Sequence, residues 1–237
     1  MQIVIPMSGF GERFRQAGYT VPKPLIEVDG KPIIQYIVEM FSDKDDFIFI
    51  CNEDHLNNKT YEMKSILRSI CSSCVIVGIL PHKLGPVHAV MQSIDFINLN
   101  STVIVNYCDF TCDWDYSDFS NMVGETECDG AIPCYRGFHP HTLWSNYYAY
   151  VQEEKMHAYN IQEKQPFTDK PREEFASSGT YYFKSGALMQ RYFNRCIDEE
   201  LMVGGEYYVS MVYKPMMQDD LNIQVYELEH FMQWGVP

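Results

Sequence analysis

The chain has 237 residues, of which 46% are hydrophobic, and it carries a formal net charge of −14 at pH 7. This acidic balance argues against a nucleic-acid partner, which normally needs a basic face, and no apolar run approaches the roughly 18 residues of a membrane helix. Because the N-terminus also lacks the pattern of a secretory signal, we expect a cytoplasmic protein with eight reduced cysteines and no membrane partner.

The first half of the chain alternates between predicted strands and predicted helices. Short apolar runs rich in β-branched residues predict strands over 1–5, 47–51, 75–80 and 102–107. Apolar residues at helical spacing predict helices over 31–41, 55–70 and 86–97. Alternation of this kind predicts a Rossmann-like αβα sandwich, in which helices cover both faces of a mostly parallel mixed sheet.

The second half has a different pattern, with shorter strands joined by polar turns. Strands are predicted over 147–151, 158–161, 180–183 and 223–228. Helices are predicted over 185–198 and 205–218. Because no linker, repeat or low-complexity segment interrupts the chain, we expect a single α/β domain over 1–237.

A loop with two glycines follows the first predicted strand, in the run Met-Ser-Gly-Phe-Gly-Glu-Arg over 7–13. The glycines permit positive φ and a close backbone approach, so that N–H groups can point at phosphate oxygens. Arg13 adds a planar donor fork, and Lys23, between two prolines, adds a compact charge. The loop lacks the third glycine of a dinucleotide fingerprint and the Gly-Lys-Ser/Thr of a Walker loop. From these residues alone, a phosphate-binding loop and an ordinary turn with solvated cations both remain open.

The wider pattern resembles the sugar-phosphate nucleotidylyltransferases, also called nucleoside-diphosphate-sugar pyrophosphorylases. The motif M-S-G-x-G-x-R is followed, ten residues after its arginine, by the lysine of PKPL and then by V-x-G-K-P-I. The similarity continues in the segments GPVHA (85–89), VNYCD (105–109), EK (163–164), SGTY (178–181) and GEYYVS (205–210). It therefore extends over nearly the whole chain.

This resemblance implies magnesium-dependent transfer of a nucleotidyl group to a phosphorylated small molecule, with release of pyrophosphate. It implies a nucleotide-binding half over 1–110 and an acceptor-binding half over 111–237. The nucleotide-binding residues would be Met7, Ser8, Gly9, Gly11, Arg13, Lys23, Gly85 and Asp109. The acceptor-binding residues would be Glu163, Lys164, Ser178, Gly179 and Glu206. Three cations that bind phosphate, Arg13, Lys23 and Lys164, would carry catalysis.

Asp109 is the expected magnesium ligand, since it follows a central strand and magnesium prefers hard oxygen ligands. The second ligand is open. Sugar-type members of the family carry an aspartate in W-x-D-x-G-T, where this chain has Gln233. Phosphocholine-type members carry an acidic residue in a Y-E-I-D pattern, which the run from Tyr226 to Glu229 matches better. We therefore expect Glu229 as the second ligand, with a solvated strand-end charge as the alternative.

Finer details resemble a branch of the family that acts in capsule biosynthesis, with CTP and L-glutamine phosphate as substrates. They lie in the segments YCDF, YRGFHPH, QEKQPF and EHFMQWG. A hexose-1-phosphate uridylyl- or thymidylyltransferase is the main alternative, and a regulatory domain that binds nucleotides without turnover is another. Base preference does not follow from the residues, and the chain is compatible with a homo-oligomer.

Two further motifs carry alternatives of their own. Asp113 and Asp115 imitate the D-x-D motif of metal-dependent glycosyltransferases, but we expect them to begin a helix, where acidic side chains oppose the helix dipole. His139 and His141 have a spacing that can chelate metal, yet no nearby residue completes a zinc set. We expect this second pair to form a wall of the acceptor site or simple loop packing.

Overall fold

The computed structural model describes residues 1–139 and 148–235. Its strands, numbered along the chain, are β1 Gln2–Met7, β2 Glu27–Val28, β3 Lys31–Pro32, β4 Asp46–Asn52, β5 Val75–Ile79, β6 Val103–Asn106, β7 Phe110–Asp113, β8 Gly130–Tyr135, β9 Ala149–Glu154, β10 His157–Glu163, β11 Phe175–Ser177, β12 Thr180–Phe183, β13 Ile223–Glu227 and β14 His230–Gln233. Its α-helices are α1 Glu12–Gln16, α2 Ile33–Val38, α3 Glu53–Asn57, α4 Met63–Ile70, α5 Pro86–Met91, α6 Tyr116–Glu125, α7 Gly186–Asp198 and α8 Val209–Gln218.

The first half of the chain forms the parallel part of a ten-stranded sheet. Strands β6, β1, β4 and β5 lie side by side in that order, and all three pairings between them are parallel. The four predicted strands of this half are therefore present. Because parallel strands end at the same edge of a sheet, the loops that follow β1 and β6 meet there.

The prediction of a mostly parallel sheet is wrong, because the second half adds antiparallel strands. Six of the ten strand pairings in the main sheet are antiparallel. One physical cause is the hairpin between β9 and β10, where Lys155 and Met156 both have positive φ, as a tight hairpin turn requires. The α/β class is confirmed, but the sheet is mixed and mostly antiparallel.

The second half of the sheet is also partly closed on itself. β11 pairs with both β9 and β8, so that β11, β9, β10, β13 and β8 form a ring of five strands. The ring places the end of β10 and the end of β11 beside the loop that follows β6. This arrangement positions Glu163 and Ser177 next to the edge where the first-half loops meet.

Two hydrophobic cores lie on opposite faces of the sheet. One contains buried residues of α5, α7 and α8, among them Val90, Phe193 and Tyr213. The other contains buried residues of α1, α2, α4 and α6, among them Ile34 and Phe119. Helices therefore cover both faces, and burial of their apolar stripes against the sheet supplies most of the stabilisation.

Several helices and strands differ from the sequence-based expectation. The predicted helix over 55–70 is broken into α3, a 3₁₀ turn at Lys59–Tyr61 and α4, because Glu62 has a φ of 47°. The predicted helix over 205–218 begins only at Val209. Strand β8 was not predicted, since Pro133 interrupts its pattern, although Pro133 accepts a backbone bond from Ser178 through its carbonyl. Of the predicted strand over 147–151, residue 147 lies outside the described residues.

The structure also bears on the expected absence of a membrane helix and on the expected reduced state of the cysteines. Across 1–139 and 148–235, no helix has both the length and the apolar character needed to cross a membrane. All eight cysteines fall in these ranges, and each is a free thiol.

Candidate active site

The loop after β1 lines a cavity of about 460 Å³, which is the larger of two adjoining cavities at this edge of the sheet. All eight predicted nucleotide-binding residues line this cavity. Gly11 has a φ of 62°, which a residue with a side chain rarely adopts, and it turns the chain from the loop into α1. The structure thus brings together residues of the β1 loop, the turn at Lys23, the start of α5 and the loop after β6.

Lys23 and Asp109 meet on the wall of this cavity. The Lys23 Nζ donates to Asp109 Oδ2 at 2.7 Å, and it lies 5.3 Å from the centre of the Phe14 ring. The two side chains are 15% and 35% exposed, so the pair is half-buried but open to the cavity. Lys23 begins a 3₁₀ turn that is flanked by Pro22 and contains Pro24, and these prolines restrict the backbone that presents the ammonium.

The loop before α5 is locked to the segment before α8. The Tyr207 N–H donates to the Leu84 carbonyl at 2.9 Å, and the Val87 N–H donates to the Tyr207 carbonyl at 3.1 Å. A Cβ on Gly85 would lie 2.7 Å from both the nitrogen and the oxygen of Tyr207. Only glycine therefore permits this contact, which joins the two halves of the chain at the larger cavity.

The smaller cavity, of about 210 Å³, adjoins the larger one. Glu163, Lys164, Ser178 and Gly179 line it, whereas Glu206 lines the larger cavity. Five residues line both cavities, namely Arg13, Tyr107, Asp109, Tyr208 and Gly235. The predicted acceptor-binding residues and the predicted nucleotide-binding residues therefore face two spaces with a common boundary.

Glu163 is a carboxyl group held in a mostly buried position. Burial raises its pKa to about 7, against the lowering effects of a hydrogen bond from Ser210 and the charge of Lys164. The Ser210 Oγ donates to Glu163 Oε2 at 2.6 Å. Nearby, the buried Ser178 Oγ has no hydrogen-bond partner among the described residues, and it lines the same cavity. A ligand in the smaller cavity therefore meets one titratable carboxyl and one unpaired hydroxyl.

Lys164, Tyr208 and Glu206 form a chain of hydrogen bonds across the boundary of the two cavities. The Lys164 ammonium donates to the Tyr208 hydroxyl, which in turn donates to a carboxylate oxygen of Glu206. The same ammonium lies 4.2 Å from the centre of the Tyr208 ring. Burial, followed by the hydrogen bond to Glu206, raises the pKa of the Tyr208 hydroxyl, so it stays protonated near neutral pH.

Gln233, and not Glu229, lies beside Asp109. β14 pairs antiparallel with β7 so that Gln233 faces Phe110, and the Trp234 N–H donates to the Asp109 carbonyl at 2.7 Å. A Cβ built on Gly235 would lie 2.7 Å from Gln233 Oε1 and 3.3 Å from Asp109 Oδ2. The two oxygens are therefore close to each other. Glu229 stands just before β14, at the opposite end of the strand from Trp234. The two residues are five positions apart, which is on the order of 15 Å along an extended strand.

The structure therefore does not bring Glu229 to Asp109, and Glu229 lines neither cavity. Within the described ranges, no three His, Cys, Asp or Glu side chains come together as a metal site. The donors at this place are one carboxylate and one amide oxygen. These two donors suit magnesium that is bound together with a nucleotide. In such sites one or two protein carboxylates hold the ion, and phosphates and water fill the remaining positions.

The D-x-D pattern lies away from both cavities. Asp115 caps α6 by accepting from the Asp118 N–H at 2.9 Å, as expected for the start of a helix. Asp113 does not begin the helix as expected, because it is the last residue of β7, and neither Asp113 nor Asp115 lines either of these two cavities. His139 is buried with its ring 4.7 Å from that of Tyr135, whereas His141 lies outside the described residues.

Sequence reasoning missed several aromatic residues of the site. Tyr107, Tyr148 and Tyr181 line the smaller cavity, and the Tyr107 hydroxyl accepts from the Val209 N–H at 3.1 Å. Tyr107 and Tyr208 stand inside two of the motif segments, VNYCD and GEYYVS. Their place next to motif residues was the available signal, but apolar periodicity alone assigns such aromatic residues to the core.

Comparison with protein families gives one clear match. The family model described as Nucleotidyl transferase matches residues 3–211 of this chain. Among curated proteins, none matches the sequence.

Solved structures with the same fold cover both chains almost completely. The nucleoside-diphosphate-sugar pyrophosphorylase of Vibrio cholerae RC9 has a TM-score of 0.75 and 20% identity, over 99% of this chain and 96% of that one. A UDP-glucose pyrophosphorylase complexed with UDP-glucose has a TM-score of 0.75 and 18% identity, over 99% and 93%. A putative glucose-1-phosphate thymidylyltransferase of Bacillus anthracis, solved with sucrose, has a TM-score of 0.71 and 14% identity, over 100% and 90%. At such low identity, these likenesses support the fold alone.

Proposed function

Because the chain belongs to the nucleotidyl transferase family, we propose that it transfers a cytidylyl group from CTP to a phosphorylated small molecule, with L-glutamine phosphate as the acceptor. Transfer of a nucleotidyl group to a sugar phosphate or other small phosphate, with release of pyrophosphate, is the reaction of this family. The choice of CTP, the acceptor and a role in capsule modification are the proposed parts. One observation carries the proposal: two adjoining cavities share a boundary lined by Arg13, Asp109 and Tyr208.

The proposed reaction is an in-line displacement at phosphorus. A phosphate oxygen of the acceptor forms a bond to the α-phosphorus of CTP, and the bond from that phosphorus to the bridging oxygen of the β-phosphate breaks. The electron pair leaves with pyrophosphate. Because the attacking phosphate is already ionised at neutral pH, no protein base has to remove a proton. Catalysis then depends on alignment and on stabilising negative charge.

The cations of the site are divided between these tasks. Arg13 and Lys23, in the larger cavity, would bind the triphosphate and the leaving pyrophosphate, and the glycine loop would offer backbone N–H groups. Lys164, in the smaller cavity, would bind the α-phosphate and the incoming phosphate together. When bound, magnesium would neutralise phosphate charge. Asp109 would hold the ion. The amide oxygen of Gln233 is better placed than the carboxylate of Glu229 to be the second ligand.

Charge in the acceptor region supports an acceptor that carries an ammonium group. Glu163 lines the smaller cavity and is mostly buried, and Glu206 lines the larger cavity. The ionised form of Glu163 needs a cation beside it, which a ligand ammonium would supply, because burial otherwise favours the protonated form. The amino group of L-glutamine phosphate meets this need. Gln233, in place of the aspartate of sugar-type relatives, also disfavours a hexose phosphate.

A hexose-1-phosphate uridylyl- or thymidylyltransferase is the second candidate. Carboxylates such as Glu163 and Glu206 can also accept hydrogen bonds from sugar hydroxyls. The unpaired Ser178 hydroxyl fits either acceptor. The D-x-D glycosyltransferase alternative lacks support, since Asp115 caps α6.

A substrate panel tests the proposal. Each nucleoside triphosphate would be combined with magnesium and with L-glutamine phosphate, phosphocholine, glucose 1-phosphate or mannose 1-phosphate, and pyrophosphate release would be measured. We expect CTP with L-glutamine phosphate to exceed every other pair by at least about tenfold, and Asp109→Asn to abolish the signal. Turnover only with hexose phosphates would refute the acceptor. Nucleotide binding without turnover for any pair would favour a regulatory domain.

A further inference from the structure

Tyr208 holds a position that neither the sequence motifs nor the proposed chemistry explains. It lies directly before α8, in the segment fixed to Gly85 through the backbone of Tyr207. Its side chain lines both cavities, which only five described residues do. A side chain at this boundary faces both the nucleotide space and the acceptor space.

The phenol makes two kinds of contact with the ammonium of Lys164. Its hydroxyl accepts a hydrogen bond from Lys164 Nζ, and its ring lies 4.2 Å from the same nitrogen. A lysine side chain has four rotatable bonds and is normally mobile when it is exposed, as Lys164 is. Two contacts from one rigid ring restrict that freedom. The backbone of Lys164 is also restrained, since its φ is 60° and its N–H donates to the Tyr148 carbonyl at 2.9 Å.

Glu206 fixes the phenol in turn. The Tyr208 hydroxyl donates its only proton to the Glu206 carboxylate, so its lone pairs face Lys164. A tyrosine hydroxyl is protonated near neutral pH, and burial and the bond to Glu206 raise its pKa further. The tyrosine therefore separates the ammonium from the carboxylate and prevents a direct ion pair between them. With the carboxylate bound to Tyr208, the ammonium stays directed to the boundary of the cavities.

We propose that Tyr208 is a positioning residue, which holds the Lys164 ammonium at the place where the two substrate phosphates meet. The proposal rests on the proposed role of Lys164 in nucleotidyl transfer, but it does not depend on the identity of the base or the acceptor. Tyr208 acts through Lys164 and adds no charge of its own. Its effect is on the alignment of the reacting groups, so it is expressed in kcat more than in substrate binding.

A double-mutant cycle tests the proposal with whichever substrate pair the wild-type protein turns over. Tyr208→Phe removes the hydroxyl and keeps the ring, and Tyr159→Phe, on the exposed part of β10, is the matched control. We expect Tyr208→Phe to lower kcat by about 10- to 100-fold, the effect of one hydrogen bond to a charged group, with each KM changed by less than about threefold. In a Lys164→Met background, Tyr208→Phe should have no further effect. Equal, additive losses in both backgrounds would overturn the proposal.

A second measurement does not require turnover. The rate at which acetic anhydride labels Lys164 would be followed by peptide mass spectrometry, with Lys170 as the internal reference. We expect Tyr208→Phe to raise the relative labelling rate of Lys164 several-fold, because the ammonium loses its hydrogen-bond acceptor. An unchanged ratio would refute the positioning role. A protein that shows the labelling change but turns over no substrate pair would refute the proposed function and leave the role of Tyr208 in place.

Discussion

The ammonium of Lys23 donates to the carboxylate of Asp109 at 2.7 Å, although 86 positions separate the two residues in the chain. One follows the glycine loop, and the other follows β6. Their contact forms part of the wall of the larger cavity. Each group has a second proposed partner, the triphosphate for Lys23 and magnesium for Asp109. Phosphate and magnesium would therefore each have to compete with this ion pair for their proposed ligand.

Loss of either member should abolish turnover without unfolding the protein. We expect Lys23→Ala and Asp109→Ala each to reduce kcat by roughly 100- to 1,000-fold, as for other groups that stabilise charge in a transition state. The pair is half-exposed, so its contribution to stability is at most about 1 kcal/mol. Lys170→Ala, which breaks an exposed pair with Glu173 at 3.1 Å, is the matched control. Steady-state kinetics and thermal unfolding check both statements, and near-normal turnover would remove the residue from the site.

Metal binding should distinguish Gln233 from Glu229. Because Gln233 lies beside Asp109 and Glu229 lies at the far end of β14, Gln233→Leu should weaken binding of Mn²⁺ with nucleotide, by roughly threefold or more, and Glu229→Gln should not. Gln233→Asp should tighten binding, since it adds a second carboxylate. Electron paramagnetic resonance of Mn²⁺ measures each affinity directly. A loss confined to Glu229→Gln would show that the end of the chain rearranges when nucleotide binds.

Glu163 predicts a pH-dependent stability. Its pKa is about 7 in the folded chain and near 4.5 in the unfolded chain, so the folded state holds its proton more tightly. This contribution is fully present below about pH 4.5 and is lost as the pH rises to about 7. Glu163→Gln stays neutral throughout. Its stability relative to wild type should therefore increase between pH 4.5 and 7, by roughly 3 kcal/mol at about 1.4 kcal/mol per pKa unit.

Urea unfolding at pH 5 and pH 8 measures this difference for the wild-type protein and the variant. Other groups near the carboxyl contribute to the same curve, chiefly Ser210, Lys164 and Glu206. Lys164→Met should raise the pKa of Glu163 further and shift the curve to higher pH. A stability difference that does not change with pH would mean that folding does not shift the pKa of Glu163.

Gly85 should be intolerant of any side chain. Gly85→Ala places a Cβ 2.7 Å from two backbone atoms of Tyr207, at a φ of 87°. We expect a loss of about 2 kcal/mol or more in the free energy of unfolding, together with weaker nucleotide binding. Gly124→Ala, in α6 with no atom within 4 Å of the new Cβ, should instead stabilise by up to about 1 kcal/mol. Similar effects of the two variants would contradict the contact with Tyr207.

The first half of the fold was more predictable than the second half. Buried parallel strands such as β1 and β4 have continuous apolar sequences, and the alternation of strands with helices predicts parallel pairing. The motif residues from Met7 to Asp109 consequently meet at one edge. The sheet as a whole was not predictable, because the pairing of β11 with both β8 and β9 joins segments distant in sequence. Local pattern carries no information about such pairings.

The residues of the candidate site also differ in how far the sequence predicted them. Arg13, Lys23 and Asp109 were predicted from their spacing and from the resemblance, and all three line the larger cavity. The register of β14 against β7 decides whether Gln233 or Glu229 reaches Asp109, and a two-strand register does not follow from composition. Tyr208 was missed for a different reason, since its role depends on a contact with Lys164 that is 44 residues away.

The ring formed by β11, β9, β10, β13 and β8 has a consequence for how the acceptor site can change. Each of these strands is paired on both sides for at least part of its length, although the described pairing of β10 with β13 is the single pair His157 and Gln224, so several neighbouring strands hold the backbone beneath the smaller cavity. Side chains at the ends of β10 and β11 can then be exchanged without moving the frame that carries them. A fold built in this way can acquire a new acceptor by a few substitutions, while the phosphate chemistry at the parallel edge stays as it is.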